Sequence, residues 1–194
     1  MKKTLLLLAE GFEILEASAF IDVMGWNLLE GDQTTELITC GLRKKIKSSF
    51  DQTFTVDCTI EEVDVDAYEA LVIPGGFEEY GYYKDAYSNQ FLELIRAFNK
   101  QNKVIASVCV GALPLGKSGV LSGKNGTTYS NKLRRNKLKE FGVRVKNENI
   151  VVDDQIITSN GPSTAIEVAF IVLEKLTTKE NTTRVRKLMG FINN

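Results

Sequence analysis

Cys109 is the residue whose sequence context most favours chemistry. It follows an apolar stretch at residues 104–108 and precedes Val-Gly-Ala and a helical pattern. A strand that runs through a nucleophile into a helix is typical of a nucleophile elbow, where a sharp, strained turn presents the side chain. Because a helix N-terminus stabilises negative charge, we expect an exposed Cys109 thiol with a lowered pKa. The alternative interpretation is a small buried cysteine without reactivity.

Glu16 is the candidate proton partner of this thiol. Helical spacing surrounds it with apolar residues, namely Phe12, Ala19, Phe20 and Val23. Burial raises the pKa of a carboxyl, so a protonated Glu16 would donate a hydrogen bond to a thiolate or pass a proton to a substrate. Equally consistent with the sequence is a first-turn acid at the edge of the apolar stripe. Glu13, on the same turn, is more simply interpreted as exposed.

A Pro-Gly-Gly turn ends the predicted core strand at residues 69–74. Glycines allow backbone N–H groups to face a ligand, so the Gly76 N–H is a candidate donor of an oxyanion hole. The N–H of Val110, next to Cys109, would supply the second donor. An ordinary strand-ending turn is the alternative.

Histidine is absent from the sequence. Its absence excludes Cys-His and Ser-His catalysis and His-ligated metal sites, so we expect neither a Cys-His protease or amidotransferase nor a metal, and no cofactor. The three cysteines, Cys40, Cys58 and Cys109, are odd in number and widely spaced, which predicts free thiols. Cys40 and Cys58 lie in or beside strand-like segments and are weaker candidates for reactivity.

The composition is that of an ordinary globular protein, with 43% hydrophobic residues and with 24 Lys and Arg against 25 Asp and Glu. This balance does not indicate a binder of nucleic acid or of a membrane surface. The apolar run at residues 5–9 is too short for a signal peptide, and no stretch approaches the roughly 20 apolar residues of a membrane span. We therefore expect a cytoplasmic protein. The chemistry predicted for Cys109 indicates a small-molecule electrophile as its partner.

Apolar runs alternate with helical patterns along the chain. Core strands are predicted at residues 3–9, 35–40, 69–74 and 104–108, and a short strand at 127–129. Residues 45–48 and 54–56 are interpreted as a short hairpin or a pair of edge strands, and residues 150–152 and 155–158 as a hairpin. Helices are predicted at 13–29, 89–100, 131–141, 162–176 and 178–191, and one more begins at or just after Cys109. This alternation predicts one α/β domain over residues 1–194, with a mostly parallel sheet and helices on both faces. Sites in such sheets lie beyond the carboxyl ends of the strands, here residues 9–16, 74–77 and 109–112.

Three further surfaces can be predicted from residue patterns. Residues 77–87 hold four tyrosines and one phenylalanine around a glycine, which favours a lid, a dimer surface or an aromatic loop without a role. The basic residues within 132–139 are interpreted as a solvated helix face. In the first helix, the residues expected to share the buried face are Leu15, Ala19, Val23 and Trp26.

The chain resembles the ThiJ/PfpI superfamily, which includes deglycases and isonitrile hydratases. Four stretches carry the resemblance, at residues 5–24 (LLLLAEGFEILEASAFIDVM), 71–76 (LVIPGG), 104–129 (VIASVCVGALPLGKSGVLSGKNGTTY) and 156–176 (IITSNGPSTAIEVAFIVLEKL). Together they span nearly the whole chain. The resemblance implies a flavodoxin-like three-layer sandwich, related to that of class I glutamine amidotransferases.

The resemblance also implies roles for individual residues. Cys109 matches the elbow cysteine, and Glu16 matches the acid that hydrogen-bonds its thiol. The Gly76 and Val110 amides match the oxyanion site. The surrounding pocket would include Gly75, Tyr129, Gly161 and Pro162. Members of the superfamily are commonly homodimers, and their reactive cysteine is often easily oxidised.

The sequence departs from the superfamily after a Thr-Thr pair, where Tyr129 stands in place of a histidine that many members carry beside the cysteine. The Cys-Val-Gly-Ala elbow is closer to the hydratase-like branch, whereas Glu16 is more like the deglycase branch. Three functions remain open. They are a glyoxalase-, deglycase- or hydratase-like enzyme in which Cys109 adds to an electrophilic carbon, an oxidation-sensing stress-response protein without rapid turnover, and a dimeric scaffold without catalysis.

Overall fold

Strands and helices alternate along the chain in the computed structural model, which describes residues 1–192. The strands are β1 (Lys2–Leu8), β2 (Thr35–Gly41), β3 (Lys45–Lys47), β4 (Thr53–Thr55), β5 (Cys58–Thr59), β6 (Ala70–Ile73), β7 (Val104–Ser107), β8 (Asn125–Gly126), β9 (Arg144–Val145), β10 (Ile150–Asp153) and β11 (Ile156–Ser159). The helices are α1 (Ile14–Glu30), α2 (Tyr82–Ala86), α3 (Asn89–Lys100), α4 (Ala112–Ser118), α5 (Lys132–Glu140), α6 (Ala165–Leu176) and α7 (Lys179–Leu188).

Seven strands form the central sheet in the order β10-β11-β7-β6-β1-β2-β5. All neighbours pair in parallel except β10 and β11, which form an antiparallel pair. The sheet centre consists of continuous apolar runs, since β6 and the second half of β1 are fully buried. Such runs are typical of parallel strands that helices cover on both sides. The predicted α/β class with a mostly parallel sheet is confirmed.

The connections place helices on opposite faces of the sheet. The crossover through α1 leads from β1 to β2, in one direction along the sheet, and the crossover through α3 leads from β6 to β7, in the other. Because both crossovers are right-handed in this fold class, α1 and α3 cover opposite faces. Helices α6 and α7 pack against α1, and α4 packs against α3. The chain therefore crosses from β1 toward one edge of the sheet and from β6 toward the other edge. This divergence leaves a crevice beyond the carboxyl ends of these two neighbouring strands.

Helix α1 buries a different face from the one expected. Ala19 and Val23 are buried, but Leu15 is 62% exposed and Trp26 is 40% exposed. The predicted stripe was wrong at both ends because the buried face passes instead through Glu16 and Phe20. A carboxyl therefore occupies a position that the helical period assigns to the core.

Two other segments differ from the expectations. Residues 127–129 are not a strand, since β8 ends at residue 126 and the next two threonines are buried in a loop. The aromatic segment contains a short helix, α2, in which Tyr82 is completely buried and donates a hydrogen bond to the Pro74 carbonyl over 2.7 Å. Part of this segment thus supports the turn after β6. Within residues 1–192, no helix is long and apolar enough to cross a membrane.

Candidate active site

The three segments expected to meet beyond the strand ends do so around the crevice between β1 and β6. The turn after β1 pairs with the turn after β6, since the Glu13 N–H donates to the Gly75 carbonyl over 2.9 Å and the Phe77 N–H donates to the Gly11 carbonyl over 3.0 Å. The elbow after β7 lies against the turn after β6 and close to Glu16 in the first turn of α1. The topology thus brings Cys109 to the same place as the start of α1.

Cys109 occupies a strained position. Its φ is +56°, in the left-handed region that residues with a Cβ rarely adopt. The Thr128 hydroxyl donates a hydrogen bond to the Cys109 carbonyl over 2.9 Å and helps to hold this conformation. A Cβ on Gly111 would lie 2.6 Å from the Ile73 carbonyl oxygen, so the chain can turn this closely on β6 only with glycine there. The geometry is that of a nucleophile elbow.

The Cys109 thiol is less exposed than expected. Residues Cys109–Gly111 form a 3-10 turn, and α4 begins only at Ala112. The cysteine is 7% exposed, so the predicted open thiol at a helix N-terminus is wrong. The strained turn directs the side chain toward the start of α1 instead of toward solvent.

Glu16 faces Cys109 across the bare Cα of Gly75. A Cβ built on Gly75 would lie 2.9 Å from the Cys109 Cβ and 3.0 Å from Glu16 Oε2. Glu16 is 0% exposed, and its Oε2 accepts a hydrogen bond from the Gly75 N–H over 2.5 Å. Glycine at position 75 is therefore what allows the thiol and the carboxyl to approach each other.

Burial, reinforced by the negative charge of Glu13, raises the pKa of Glu16 to about 8. A neutral carboxyl also suits the surroundings of Glu16 Oε1, a buried atom that accepts no hydrogen bond from the residues the structure describes. Protonated Glu16 supplies an O–H donor that an ionised carboxylate lacks. Glu16 is thus a reservoir for a proton at neutral pH.

Burial also raises the pKa of the Cys109 thiol, and the negative charge of ionised Glu16 raises it further. The lowered pKa expected from a helix N-terminus is not found, although a hydrogen bond from the Val110 N–H acts in that direction. Because each ionised group opposes ionisation of the other, Cys109 and Glu16 titrate as a pair. The first negative charge is shared between them, and the second is strongly disfavoured.

Two backbone N–H groups lie beside the thiol. Phe12 and Gly76 form a non-hydrogen-bonded antiparallel pair, flanked by the two hydrogen bonds of the turns described above. In such a pair the Gly76 N–H points away from the partner segment, and Gly76 lines the crevice. The Val110 N–H is the other donor at the elbow. Both amides suit an oxyanion that develops next to Cys109.

An open pocket of about 350 Å³ leads to the thiol. Among the residues named from the sequence, its lining includes Gly76, Cys109, Val110, Tyr129 and Pro162. Gly75 and Gly161 are buried beside it, and Glu16 lies behind the thiol instead of in the wall. Tyr129 is 46% exposed at the mouth, where a substrate would enter.

The pocket also contains residues that the sequence interpretation did not assign to a site. Glu13 is half-buried in the wall, and burial raises its pKa, whereas a hydrogen bond from Glu16 lowers it. Arg134, from the supposedly solvated face of α5, lines the pocket and forms a 2.8 Å ion pair with Glu78. Spacing gives a partial signal for Glu13, which precedes Glu16 by one helical turn. No local pattern distinguishes Arg134 from its basic neighbours.

Comparisons with known proteins agree with this geometry. The sequence matches the DJ-1/PfpI family over residues 2–175. The chain belongs to the DJ-1/PfpI family. Protein dj-1beta of Drosophila melanogaster is 30% identical over 188 residues, which cover 96% of this chain and 95% of that protein. The crystal structure of Drosophila melanogaster DJ-1beta superposes with a TM-score of 0.85 at 28% identity, covering 100% of this chain and 99% of the other.

Two more relatives of this DJ-1/PfpI chain differ in how much is known of them. A glutathione-independent glyoxalase of Caenorhabditis elegans is 27% identical, with 92% of this chain and 89% of that protein covered. An uncharacterized protein of Methanocaldococcus jannaschii is 33% identical over 111 residues, and the match spans 57% of this chain and about half, 53%, of that protein.

The active site of this DJ-1/PfpI chain has no histidine to act as a base. Tyr129 follows the buried Thr127 and Thr128 at the mouth of the pocket. The carboxyl groups whose charges act on the thiol are Glu16 and Glu13. Within residues 1–192, no group of three or more Cys, Asp or Glu side chains is placed to hold a metal ion.

Proposed function

We propose that this protein is a cysteine-dependent enzyme of glyoxalase or deglycase type, in which Cys109 adds to the electrophilic carbon of a small carbonyl compound. The observation that carries the proposal is the pairing of Cys109 with a protonated Glu16 at the bottom of an open pocket. The glyoxalase among the relatives supports this substrate class. A pocket of this size suits a small molecule.

The proposed addition step follows from the raised pKa of the thiol. Since a free thiolate is disfavoured, the thiol proton leaves as the bond between Sγ and the carbonyl carbon forms. The π electrons of the carbonyl move onto its oxygen, which the Gly76 and Val110 N–H groups stabilise. The thiol proton ends on that oxygen, and the product is a hemithioacetal.

The carboxyl groups provide the route for this proton. Glu16 contacts the thiol but does not reach the pocket wall, whereas Glu13 lines the pocket and accepts a hydrogen bond from Glu16. In the proposed transfer, protonated Glu16 passes its own proton to ionised Glu13 as it takes up the thiol proton on its other oxygen. Glu13 then delivers a proton to the substrate oxygen. This chain of two carboxyls replaces the histidine that the sequence lacks.

The first test is consumption of methylglyoxal by the purified protein. Cys109→Ser removes the thiolate chemistry and should abolish turnover, whereas Cys58→Ser, which changes a thiol outside the pocket, should leave it unchanged. Glu16→Gln should lower the rate by roughly a hundredfold or more, which is the usual contribution of general acid-base catalysis. Equal rates for wild type and Cys109→Ser would contradict the proposal.

Oxidation sensing at Cys109 is the second candidate function. The observation that favours it is the set of donors around the sulfur, namely protonated Glu16 and the Gly76 and Val110 N–H groups, which would hydrogen-bond a sulfinate. Peroxide treatment followed by peptide mass spectrometry tests this function. Selective oxidation of Cys109 supports it, and oxidation spread evenly over Cys40, Cys58 and Cys109 argues against it.

We also propose that the protein forms a homodimer through the outer face of α1. Five large apolar side chains of this helix are exposed, namely Leu15, Ile21, Trp26, Leu28 and Leu29. Exposed apolar side chains along one helix favour association with another protein surface. Light scattering should give twice the monomer mass, and Leu15→Glu should shift it toward the monomer. A monomeric wild type at high concentration would contradict this proposal.

A further inference from the structure

Cys40 and Cys58 lie directly opposite each other in the sheet. They are in-register partners in the parallel pairing of β2 with β5. Neighbouring strands are about 4.8 Å apart, and the Cα atoms of disulfides are typically about 4.4–6.8 Å apart. In-register residues of parallel strands also project from the same face of the sheet. The two thiols are therefore positioned for a bond without a large movement of the backbone.

The surroundings of the two thiols point to direct contact. Cys58 Sγ lies 3.7 Å from the carbonyl oxygen of Thr39, the residue before Cys40. Burial and the negative charge of Cys58 raise the pKa of the Cys40 thiol, and the same two causes raise the pKa of Tyr68 to about 12. The Cys58 thiol thus points back toward β2 instead of away from the sheet.

The two cysteines differ in access. Cys40 is completely buried, whereas Cys58 is half-buried in β5, which is the edge strand of the sheet. A reagent in solution therefore reaches Cys58 first. Cys109 follows β7, and β6 and β1 separate β7 from β2 in the sheet. The pair is thus remote from the candidate active site.

We propose that Cys40 and Cys58 form a reversible redox site that a small disulfide such as oxidised glutathione converts to an intramolecular disulfide. The Cys58 thiolate attacks one sulfur of the small disulfide, which releases one thiolate and leaves a mixed disulfide on Cys58. Cys40 then loses its proton and attacks the Cys58 sulfur, which releases the second thiolate. The protein loses two electrons and two protons, and the small disulfide is reduced to two thiols.

The bond has a structural consequence. It fixes the two-residue strand β5 to β2 and closes the loop that contains the β3–β4 hairpin. Closing a loop lowers the entropy of the unfolded chain, so the oxidised protein should unfold at a higher temperature than the reduced protein. This role is independent of the function proposed for Cys109.

The test is oxidation of the folded protein with oxidised glutathione, followed by alkylation of the remaining thiols, digestion and mass spectrometry. We expect a cross-linked peptide pair containing Cys40 and Cys58, lighter than the two free peptides by two hydrogens, with reversal by dithiothreitol. Cys109→Ala should form the same cross-link at the same rate, so loss of the active-site thiol does not affect this readout.

Single variants define the order of the steps. In Cys40→Ala the reaction should stop at glutathione attached to Cys58, and in Cys58→Ala the buried Cys40 should remain unmodified. The same variants report on folding, because a far-ultraviolet circular dichroism spectrum shows whether each is native. Glutathione that accumulates equally on Cys58 in wild type and in Cys40→Ala would overturn the proposal. So would a cross-link that joins either cysteine to Cys109 in the folded protein.

Discussion

Glu16 and Cys109 face each other across the Cα of Gly75, where any side chain would separate them. Each group is buried, and each raises the energy of the other's ionised form. The pair therefore keeps both protons near neutral pH, and after the first is lost at about pH 8 the thiol and the carboxyl compete for the remaining one, without a histidine.

Glu16→Gln should change how stability depends on pH. The folded state raises the pKa of Glu16 from about 4.5 to about 8, so in this interval the folded state keeps a proton that the unfolded state has lost. The stability contributed by protonated Glu16 is fully present below its unfolded-state pKa of about 4.5. It is lost, by up to about 1.4 kcal/mol per pH unit, as the pH rises from there through the folded-state pKa of about 8. The variant should therefore gain stability relative to wild type as pH rises.

Urea unfolding of the wild type and of Glu16→Gln between these pH values measures this effect. Glu174→Gln, which alters an exposed glutamate on α6, is the matched control and should differ from wild type by a nearly constant amount. A difference between wild type and Glu16→Gln that stays flat with pH would show that Glu16 is ionised in the folded protein.

Gly75→Ala should damage the site more than the fold. The added Cβ would lie 2.9 Å from the Cys109 Cβ and 3.0 Å from the Val110 nitrogen, so the elbow must move. Activity toward carbonyl compounds should fall at least tenfold, with a stability loss of about 1–3 kcal/mol.

Gly25→Ala in α1 is the control, since its Cβ meets nothing within 4 Å. That variant should keep activity and gain roughly 1 kcal/mol. Full activity in Gly75→Ala would be inconsistent with the proposed site.

Cys109→Gly should be more stable than Cys109→Ala. The φ of +56° is strained for any residue with a Cβ, and left-handed backbone costs such a residue about 1–2 kcal/mol. Glycine relieves this strain, which reverses its usual disadvantage relative to alanine. Chemical denaturation of both variants measures the difference. If alanine proves the more stable, the elbow does not hold its strained conformation in solution.

Glu13→Gln should lower the pKa of Glu16. The charge of Glu13 raises the pKa of Glu16, and its carboxylate accepts a hydrogen bond from protonated Glu16. Removal of the charge therefore lets Glu16 lose its proton at lower pH. Carbon NMR of a protein with labelled glutamate follows the Glu16 carboxyl directly. A titration that is unchanged, or shifted to higher pH, would exclude the contact between the two carboxyls.

Much of the architecture follows from local patterns. The apolar runs predict the bounds of the core strands to within one or two residues. The predicted bounds of α3 match the observed Asn89–Lys100 because the capping residue and the helical periodicity agree there. The buried setting of Glu16 also follows from periodicity, since Phe12, Ala19, Phe20 and Val23 are all buried around it. These features depend on residues near each other in sequence.

The features that could not be predicted depend on distant contacts. Sequence spacing cannot show that Gly75 and Glu16 lie against Cys109, so it predicts an exposed thiol with a lowered pKa, whereas the thiol is buried and its pKa is raised. Glu13, just before α1, and Arg134, on α5, border the same pocket although they lie far apart in sequence. Likewise, Cys40 and Cys58 become neighbours through the register of an edge strand. Register is set by the whole sheet and not by either segment alone.

The rate at which iodoacetamide alkylates Cys109, followed against pH in wild type and in Glu16→Gln, shows whether Cys109 and Glu16 ionise as a coupled pair. If Cys109 and Glu16 share a proton, the wild-type rate rises in two separated steps, because the first ionisation of the pair opposes the second. Glu16→Gln should show a single step, since its amide does not titrate. If the two pH profiles superimpose, Glu16 does not affect the ionisation of Cys109, which contradicts the proposed pairing of the two groups.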